Sequence, residues 1–222
     1  MPVDKLCFWL DFVEGNRVDT DSVPLFATDA GRVRTFPYGS NRRPMLQRSS
    51  EMEALMRGLG RTLESDYESD CIAHEGILYV MFRREGSTVV PLYIGKAEIY
   101  GKSGNLSINV RDLVGGDSKF GRWGYGYAYH MGDLSAATLP GHAESKKTLK
   151  YEAWRDALFT LDSHGPTVRG DIRFWACLWN PQRKSIWQEY GRTRLTFEEY
   201  LLIGVTSDLF PANVLNREGR NR

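Results

Sequence analysis

The sequence predicts an α+β fold with a small mixed or antiparallel central sheet flanked by helices. Two short apolar runs within 76–95, joined by a charged turn with a glycine, are typical of a β-hairpin. The run 171–179 is apolar on both alternating faces, as in a strand at the centre of a sheet. The stretch 49–63 repeats apolar residues at helical spacing, which predicts a helix packed on that sheet.

The first 48 residues predict one strand followed by irregular chain. Residues 6–13 are apolar except for Asp11 and predict a strand that ends in a turn. Proline and glycine recur between residues 20 and 48 and predict an irregular path. Residues 1–30 hold two basic and six acidic residues, a net charge of −4, whereas 31–48 hold five arginines and no acid.

The arginine-rich arm of residues 32–48, which includes Arg42 and Arg43, also carries Phe36 and Tyr38. Arginines between aromatic residues suit an arm that contacts phosphates and stacks on bases. The same composition suits a solvated loop packed on its own domain. The sequence leaves both readings open.

A helix follows the arm and precedes a soft domain boundary near residue 70. Ser50 and Glu53 have the spacing of a capping box. One face of this helix carries Met52, Leu55, Met56, Leu59 and Leu63. We therefore expect an N-terminal extension at 1–70, which can also pack onto the second part, residues 71–222.

The second part continues the predicted sheet and its helices. Pro91 indicates that the second hairpin strand lies at a sheet edge or begins near Pro91, because proline cannot donate to a ladder. Residues 119–132 are dense in glycine and aromatics, which lets backbone approach a ligand closely. Residues 144–159 predict a helix with Leu149, Trp154, Ala157 and Leu158 buried, and Thr196 with Glu199 predicts a capping box on the last helix.

Composition sets limits on the function. The chain has 222 residues, a net charge of +1, and three cysteines without metal-ligand spacing, which suits a reducing cytoplasm. No apolar run approaches the roughly 20 residues of a membrane span, and we expect no secretory signal. Neither a phosphate-binding P-loop motif nor a His-Glu-x-x-His zinc helix is present.

The hairpin resembles the signature of the GIY-YIG nuclease superfamily through Tyr93-Ile94-Gly95, followed by Lys96-Ala97. The first half departs from that signature, since Leu78 stands two residues after Gly76 and Tyr79 one further on. A bulge or a different glycine would return Tyr79 to the face of Tyr93. An insertion at 99–104 follows.

The resemblance assigns further residues in order along the chain. Asn109 stands where the family's helix arginine belongs, so Arg122 is expected to supply that charge, with His130 after it, as in Type II restriction enzymes of the superfamily. Glu199, with Leu202 and Ile203, matches the family's metal-binding Glu-x-x-Leu-Ile helix. The terminal asparagine is Asn213 or Asn216, with Asn213 favoured.

The resemblance implies a metal-dependent endonuclease that cuts by direct attack of water. Glu199 would hold Mg²⁺ or Mn²⁺, since hard oxygen ligands suit these ions. Arg122 would clamp the phosphate. Tyr93 is the first candidate base and Tyr79 the second, with Lys96 or Lys102 to lower a phenol pKa of about 10.

A compact chain of this kind resembles a restriction or defence enzyme acting on double-stranded DNA, and such enzymes often form homodimers. The arginine arm would then grip the DNA. The alternative is a DNA-binding or assembly module that keeps the fold without catalysis. The displaced first tyrosine motif and the missing helix arginine favour that alternative.

Overall fold

The computed structural model describes residues 4–69, 73–185 and 191–220. Its centre is a four-stranded antiparallel sheet in the spatial order β1-β10-β6-β7. These strands are β1 (Val23–Pro24), β6 (Gly76–Glu85), β7 (Thr88–Glu98) and β10 (Asp171–Trp179). The predicted α+β class with a small central sheet is confirmed, and the run 171–179 is an inner strand as predicted.

Two smaller sheets lie outside the centre. The strands β2 (Thr28–Asp29), β3 (Arg32–Val33), β9 (Gly165–Val168) and β8 (Phe159–Asp162) form one, in that spatial order. The strands β4 (Thr35–Tyr38) and β5 (Arg43–Leu46) pair as a separate hairpin. The arginine arm is therefore largely built into short strands, where irregular chain was predicted.

Helices cover both faces of the central sheet. They are α1 (Lys5–Gly15), α2 (Ser50–Glu68), α3 (Ile108–Gly115), α4 (His130–Thr138), α5 (Leu149–Leu158) and α6 (Leu195–Leu209). Along β6, Ile77 and Tyr79 join the core under α2 to α5, whereas Leu78 and Val80 join the core under α1 and α6. Both faces of β6 are therefore buried. None of the helices that the structure describes has the length and apolarity needed to cross a membrane.

The hairpin of β6 and β7 forms as predicted, with its turn at Gly86 in the left-handed region. β7 is an outer strand, which accommodates Pro91 as expected. The register shifts between Met81 and Phe82, so a bulge does interrupt the ladder. Because β7 is an outer strand, its free edge is available to other parts of the chain.

The segment before residue 70 belongs to the same core as the rest. β1 pairs with β10, so this segment completes the central sheet. α1 packs on α6, and α2 packs on α3 and on β10. The predicted boundary near residue 70 falls between α2 and β6.

The strand predicted at residues 6–13 is wrong, since the chain there is α1. The Asp4 side chain caps this helix by accepting from the Leu6 N–H. Phe8, Trp9 and Phe12 are buried together at helical spacing. A short run that is apolar except for Asp11 fits a buried helix and a buried strand equally, so periodicity alone did not separate them.

Three helix starts differ from the predicted ones. Ser49, not Ser50, caps α2 by accepting from Met52 N–H. The 144–159 helix begins only at Leu149, whose side chain is 75% exposed. α6 begins at Leu195 without a side-chain cap, because the Thr196 hydroxyl bonds Lys96 and Glu98 instead.

Candidate functional site

A cleft of about 470 Å³ lies at the free edge of β7, between α6 and the first turn of α5. Residues from distant parts of the chain line it: Tyr79, Tyr93, Lys96, Arg122, Lys150, Thr196, Glu199, Tyr200, Ile203, Asn216, Arg217 and Glu218. The fold thus brings together the predicted Tyr79, Tyr93, Arg122 and Glu199 in one place. Lys96, predicted to lower the pKa of a tyrosine, lines the same cleft.

The two tyrosines lie on one face of the hairpin. Tyr79 is directly opposite Gly95, and Tyr93 is two residues before Gly95 on the same strand. Their ring centroids are 6.3 Å apart. A Cβ at Gly95 would lie 2.6 Å from the Tyr79 ring, so only glycine leaves room for that ring. The glycine of Tyr-Ile-Gly is therefore required by the first tyrosine.

The chain after α6 binds the free edge of β7 and fixes Tyr93 in place. Leu215 N–H donates to the Leu92 carbonyl at 2.7 Å. The Asn216 amide accepts from Ile94 N–H at 3.0 Å and donates to Ile94 O at 2.8 Å. The side chain of Asn216 thereby replaces the missing neighbouring strand.

Glu199 projects from the first turns of α6 into the cleft. It makes no hydrogen bond or ion pair with any part of the chain that the structure describes. Burial raises the pKa of its carboxyl to about 7, opposed by Lys96 and assisted by Glu98 and Glu218. A half-buried carboxylate without a partner is an open ligand for a cation.

The predicted activating lysine is already bonded. Lys96 donates to Thr196 Oγ1 at 2.7 Å and forms an ion pair with Glu98. These contacts tie β7 to the start of α6, the helix that carries Glu199. Lys96 therefore positions the two walls of the cleft against each other.

Arg122 reaches the cleft from a backbone turn with an uncommon conformation. Phe120, Gly121 and Arg122 all have positive φ, at 40°, 57° and 79°. Such φ values are rare for residues with a side chain and are held only by surrounding structure. The Arg122 side chain is exposed and has no carboxylate partner within the described chain.

Arg48 is the support that holds this turn. Its side chain is fully buried, with the guanidinium 3.9 Å from the Phe120 ring centroid and 4.0 Å from that of Tyr125. It donates to the Trp123 carbonyl at 2.6 Å and pairs with Glu53 at 3.0 Å. This arginine of the predicted arm is thus a structural residue unavailable to a phosphate.

His130 lies behind the tyrosines, not in the lining of the cleft. It starts α4 and is 2% exposed, with Nε2 3.5 Å from the Tyr79 hydroxyl and Nδ1 2.8 Å from that of Tyr151. Burial lowers its pKa well below the usual value, and Lys150 and Arg122 lower it further. A neutral ring can accept a hydrogen bond from one phenol and donate to the other.

Both phenols are harder to ionise than a free tyrosine. Burial, together with the charge of Glu199, raises the pKa of Tyr93 to about 12 against the opposing charge of Arg122. Burial also raises the pKa of Tyr79, which is 1% exposed, well above its usual value. Tyr93 is the more exposed of the two.

Besides His130, four predicted site residues do not line the cleft. Lys102 is exposed in the loop after β7, and Asn213 lies beyond α6 with its side chain outside the cleft. Arg42 is exposed, and Arg43 stacks 4.5 Å from the Tyr127 ring centroid. Asn216 takes the place for which Asn213 was favoured, because only Asn216 reaches the edge of β7.

The residues that sequence reasoning missed are Lys150, Arg217, Glu218 and Tyr200. Lys150 belongs to the predicted helix of 144–159, but no spacing relates it to the tyrosines. Arg217 and Glu218 directly follow Asn216 and enter the cleft with it. Tyr200 is 46% exposed in the cleft. Its position directly after Glu199, the candidate metal ligand, was the one signal in the sequence that could have identified it.

A larger cavity of about 750 Å³ adjoins the cleft and shares Thr196 with it. Its carboxylates are already engaged, since Glu75 pairs with Arg194 and accepts from Leu195 N–H, and Glu98 pairs with Lys96. The smaller cleft holds the unpaired carboxylates and the exposed cations. We therefore place the candidate chemistry in the smaller cleft.

The donor set of the cleft fits a divalent cation that keeps most of its own water. The described residues contain no group of three metal-ligating side chains. Glu199 and Glu218 both line the cleft without an ion-pair partner in the described chain, and Mg²⁺ commonly binds through one or two carboxylates together with waters and substrate phosphate. The fit is therefore to a weakly held Mg²⁺ or Mn²⁺ and not to a zinc site.

Comparison with known proteins gives no match: no family model, curated protein or solved structure is detectably similar to this chain. The function is therefore argued from the geometry of the cleft.

Proposed function

We propose that the protein is a metal-dependent DNA endonuclease of the GIY-YIG type, with a restriction or defence role in the cytoplasm. The observation that supports this most is the convergence of Tyr79, Tyr93, Arg122 and Glu199, from four separate elements, on one cleft. Each has a chemical property that phosphodiester hydrolysis needs. Hydrolysis requires an attacking water, charge stabilisation at phosphorus and release of the 3′-oxygen.

The reaction is a single displacement at phosphorus. Water loses a proton to a base and its oxygen bonds to phosphorus, while the bond from phosphorus to the 3′-oxygen breaks. The departing 3′-oxygen takes a proton from solvent. Arg122, always charged and forked, stabilises the extra negative charge on the phosphate oxygens.

Tyr93 is the proposed base, because it is the more exposed phenol and lies next to the charged groups of the cleft. Only its phenolate form can accept the proton. With a pKa of about 12 in the free protein, that form is scarce at neutral pH. The positive charge of a bound metal ion close to Tyr93 would increase it.

Glu199 would hold the metal ion, which supplies Lewis-acid stabilisation of the phosphate and the leaving oxygen when bound. Glu199 must be ionised to do so, and its pKa of about 7 makes binding of the metal pH-dependent. Tyr79 and His130 lie deeper and orient the tyrosine pair through the contact between their polar atoms.

Double-stranded DNA is the proposed partner, and a homodimer would cut both strands. Outside the cleft, Arg43 and Lys146 flank Tyr127 and Lys119 flanks Tyr129, at cation–ring distances of 4.5 to 5.0 Å. Basic and aromatic residues in alternation suit a nucleic-acid backbone and its bases. Arg42 and Arg43 retain their proposed role as DNA contacts outside the cleft.

The second candidate is a DNA-binding module without catalysis. Two features favour this candidate. The raised pKa values of Tyr79 and Tyr93 keep both phenols protonated at neutral pH, and the described residues contain no group of three metal-ligating side chains. Such a module would use the same cations on DNA but would need neither a metal nor a phenolate.

The test is cleavage of supercoiled plasmid and of DNA with modified cytosines or adenines, with Mg²⁺ or with EDTA. The variants are Glu199→Gln, which keeps the shape and removes the ligand charge, and Glu144→Gln as the matched control. Glu144 is exposed, pairs with Lys147 and does not line the cleft.

Nicked or linear product from the wild type and Glu144→Gln, but not from Glu199→Gln or in EDTA, supports the nuclease. DNA binding without product on every substrate supports the module. Equal cleavage by Glu199→Gln would remove the assigned role of that carboxylate.

A further inference from the structure

Lys150 is a cation that the proposed reaction does not yet use. It lies in the first turn of α5 and lines the cleft, half-buried. Its ammonium is 5.2 Å from the Tyr93 ring centroid, 5.1 Å from that of Tyr151 and 5.4 Å from that of Trp154. Three aromatic rings thus hold the charge at the wall that carries Tyr93.

No carboxylate forms an ion pair with Lys150 in the described chain. Burial lowers its pKa, and the nearby Arg122 and Arg217 lower it further. Asp133 and Glu218 act in the opposite direction. Four cations, Lys96, Arg122, Lys150 and Arg217, outnumber the two carboxylates of Glu199 and Glu218 in the lining of the cleft. This excess of positive charge favours binding a negatively charged group.

We propose that Lys150, Arg122 and Arg217 form a phosphate seat for a single nucleic-acid strand entering the cleft next to Tyr93. Arginine supplies forked donors and lysine a point charge, the usual pair of groups for phosphate. A cleft of about 470 Å³ has the size of a small-ligand site, which admits a nucleotide or two but not a duplex. The seat rests on the substrate class of the proposed function, but needs neither metal nor cleavage.

The seat has a consequence for the tyrosine. Lys150 packs on the Tyr93 ring and lines the same cleft. A phosphate bound by Lys150 would therefore lie close to Tyr93. The positive charge of Lys150 also favours the phenolate. Lys150 would therefore contact substrate and assist the proposed base.

The experiment measures binding of a fluorescent five-nucleotide oligothymidylate in EDTA, at several salt concentrations. The variants are Lys150→Met, which keeps the apolar stem between the rings, and Lys150→Arg, which keeps the charge. Lys147→Met is the matched control, because Lys147 pairs with Glu144 and does not line the cleft. The thermal midpoint of each variant verifies that it is folded.

We expect Lys150→Met to bind about tenfold more weakly at low salt, with a salt slope smaller by about 0.7, the value for one phosphate contact on a single strand. Lys150→Arg and Lys147→Met should keep the wild-type slope. The same slope for Lys150→Met and the wild type, or no binding by the wild type, would overturn the seat.

The outcomes separate the seat from the proposed function. Binding with the expected slope change but no cleavage of any DNA would leave the seat standing and end the nuclease proposal. Cleavage by Lys150→Met with the same rate and the same DNA affinity as the wild type would leave the nuclease proposal standing and end the seat.

Discussion

Glu199 illustrates how a single side chain can oppose the stability of the fold in order to remain available. Its carboxyl is removed from water without receiving a partner, and its pKa rises to about 7. A folded pKa above the unfolded value of 4.5 means that the folded state prefers the protonated form. The resulting stability is present below pH 4.5 and is lost as the pH rises through 7.

Glu199→Gln should therefore stabilise the protein at pH 8 by roughly 1–3 kcal/mol and have little effect at pH 4. Denaturant unfolding at both pH values measures this difference. Mg²⁺ should raise the thermal midpoint of the wild type at pH 8 but not that of Glu199→Gln. A variant no more stable than the wild type at pH 8 would contradict the assigned burial of the charge.

Gly95 makes the opposite point, since its missing side chain is what Tyr79 needs. Gly95→Ala should destabilise the protein by about 1–3 kcal/mol, because the new Cβ meets the Tyr79 ring at 2.6 Å. Gly58→Ala is the control, as no atom lies within 4 Å of its added Cβ in α2, and it should stabilise by about 0.5–1 kcal/mol. Equal effects at the two positions, measured by thermal unfolding, would argue against the position of the Tyr79 ring.

At the scale of elements, the free edge of β7 determines where the cleft lies. A strand edge exposes unpaired N–H and C=O groups, and here the segment after α6 satisfies those of Leu92 and Ile94. The same segment brings Arg217 and Glu218 to the cleft. The segment after α6, here called the tail, thus both pairs with the edge of β7 and forms one wall of the cleft.

Asn216→Ala should cost about 2 kcal/mol, since it leaves the Ile94 N–H and C=O without partners. Hydrogen exchange at the Ile94 amide should become fast in this variant. Asn213→Ala should leave both quantities unchanged, because only the Asn213 backbone N–H is bonded, to Phe210 O. Slow exchange at Ile94 in Asn216→Ala would refute the edge role of the tail.

The elements also mark what the sequence can predict. The hairpin and β10 follow from apolar runs of strand length between turn residues, and α2 follows from its repeated apolar face. α1 was missed because a short stretch that is apolar except for Asp11 fits a buried strand as well as a helix. α4 was missed because the glycine-rich stretch 119–132, which leads into its first turn, contains no helix signal.

At the scale of the whole molecule, residues of the candidate site could be predicted where a resemblance to a known motif names them. Residues that reach the site only through tertiary contacts could not be predicted. Tyr93 and Glu199 were found from short patterns. Lys150 and Asn216 were missed or ranked second because their neighbours lie on distant elements. The burial of Arg48 between Phe120 and Tyr125 carries no signal in an arginine-rich stretch.

The described chain from residue 4 to residue 69 also packs on the central sheet, since β1 extends this sheet and α1 and α2 cover its two faces. A chain that begins at residue 73 should therefore expose both sheet faces and lose cooperative thermal unfolding. Scanning calorimetry measures this. A sharp transition in the shortened chain would show that the second part folds by itself.

The central claim is that Tyr93, Arg122 and Glu199 act as one unit on a phosphodiester. The most direct measurement is the single-turnover rate of plasmid nicking with Mg²⁺ for Tyr93→Phe, Glu199→Gln and the double variant. Groups that act together are strongly non-additive, so the double variant should lose no more rate than the worse single variant. Losses that multiply, or a wild type that never nicks DNA, would contradict the claim.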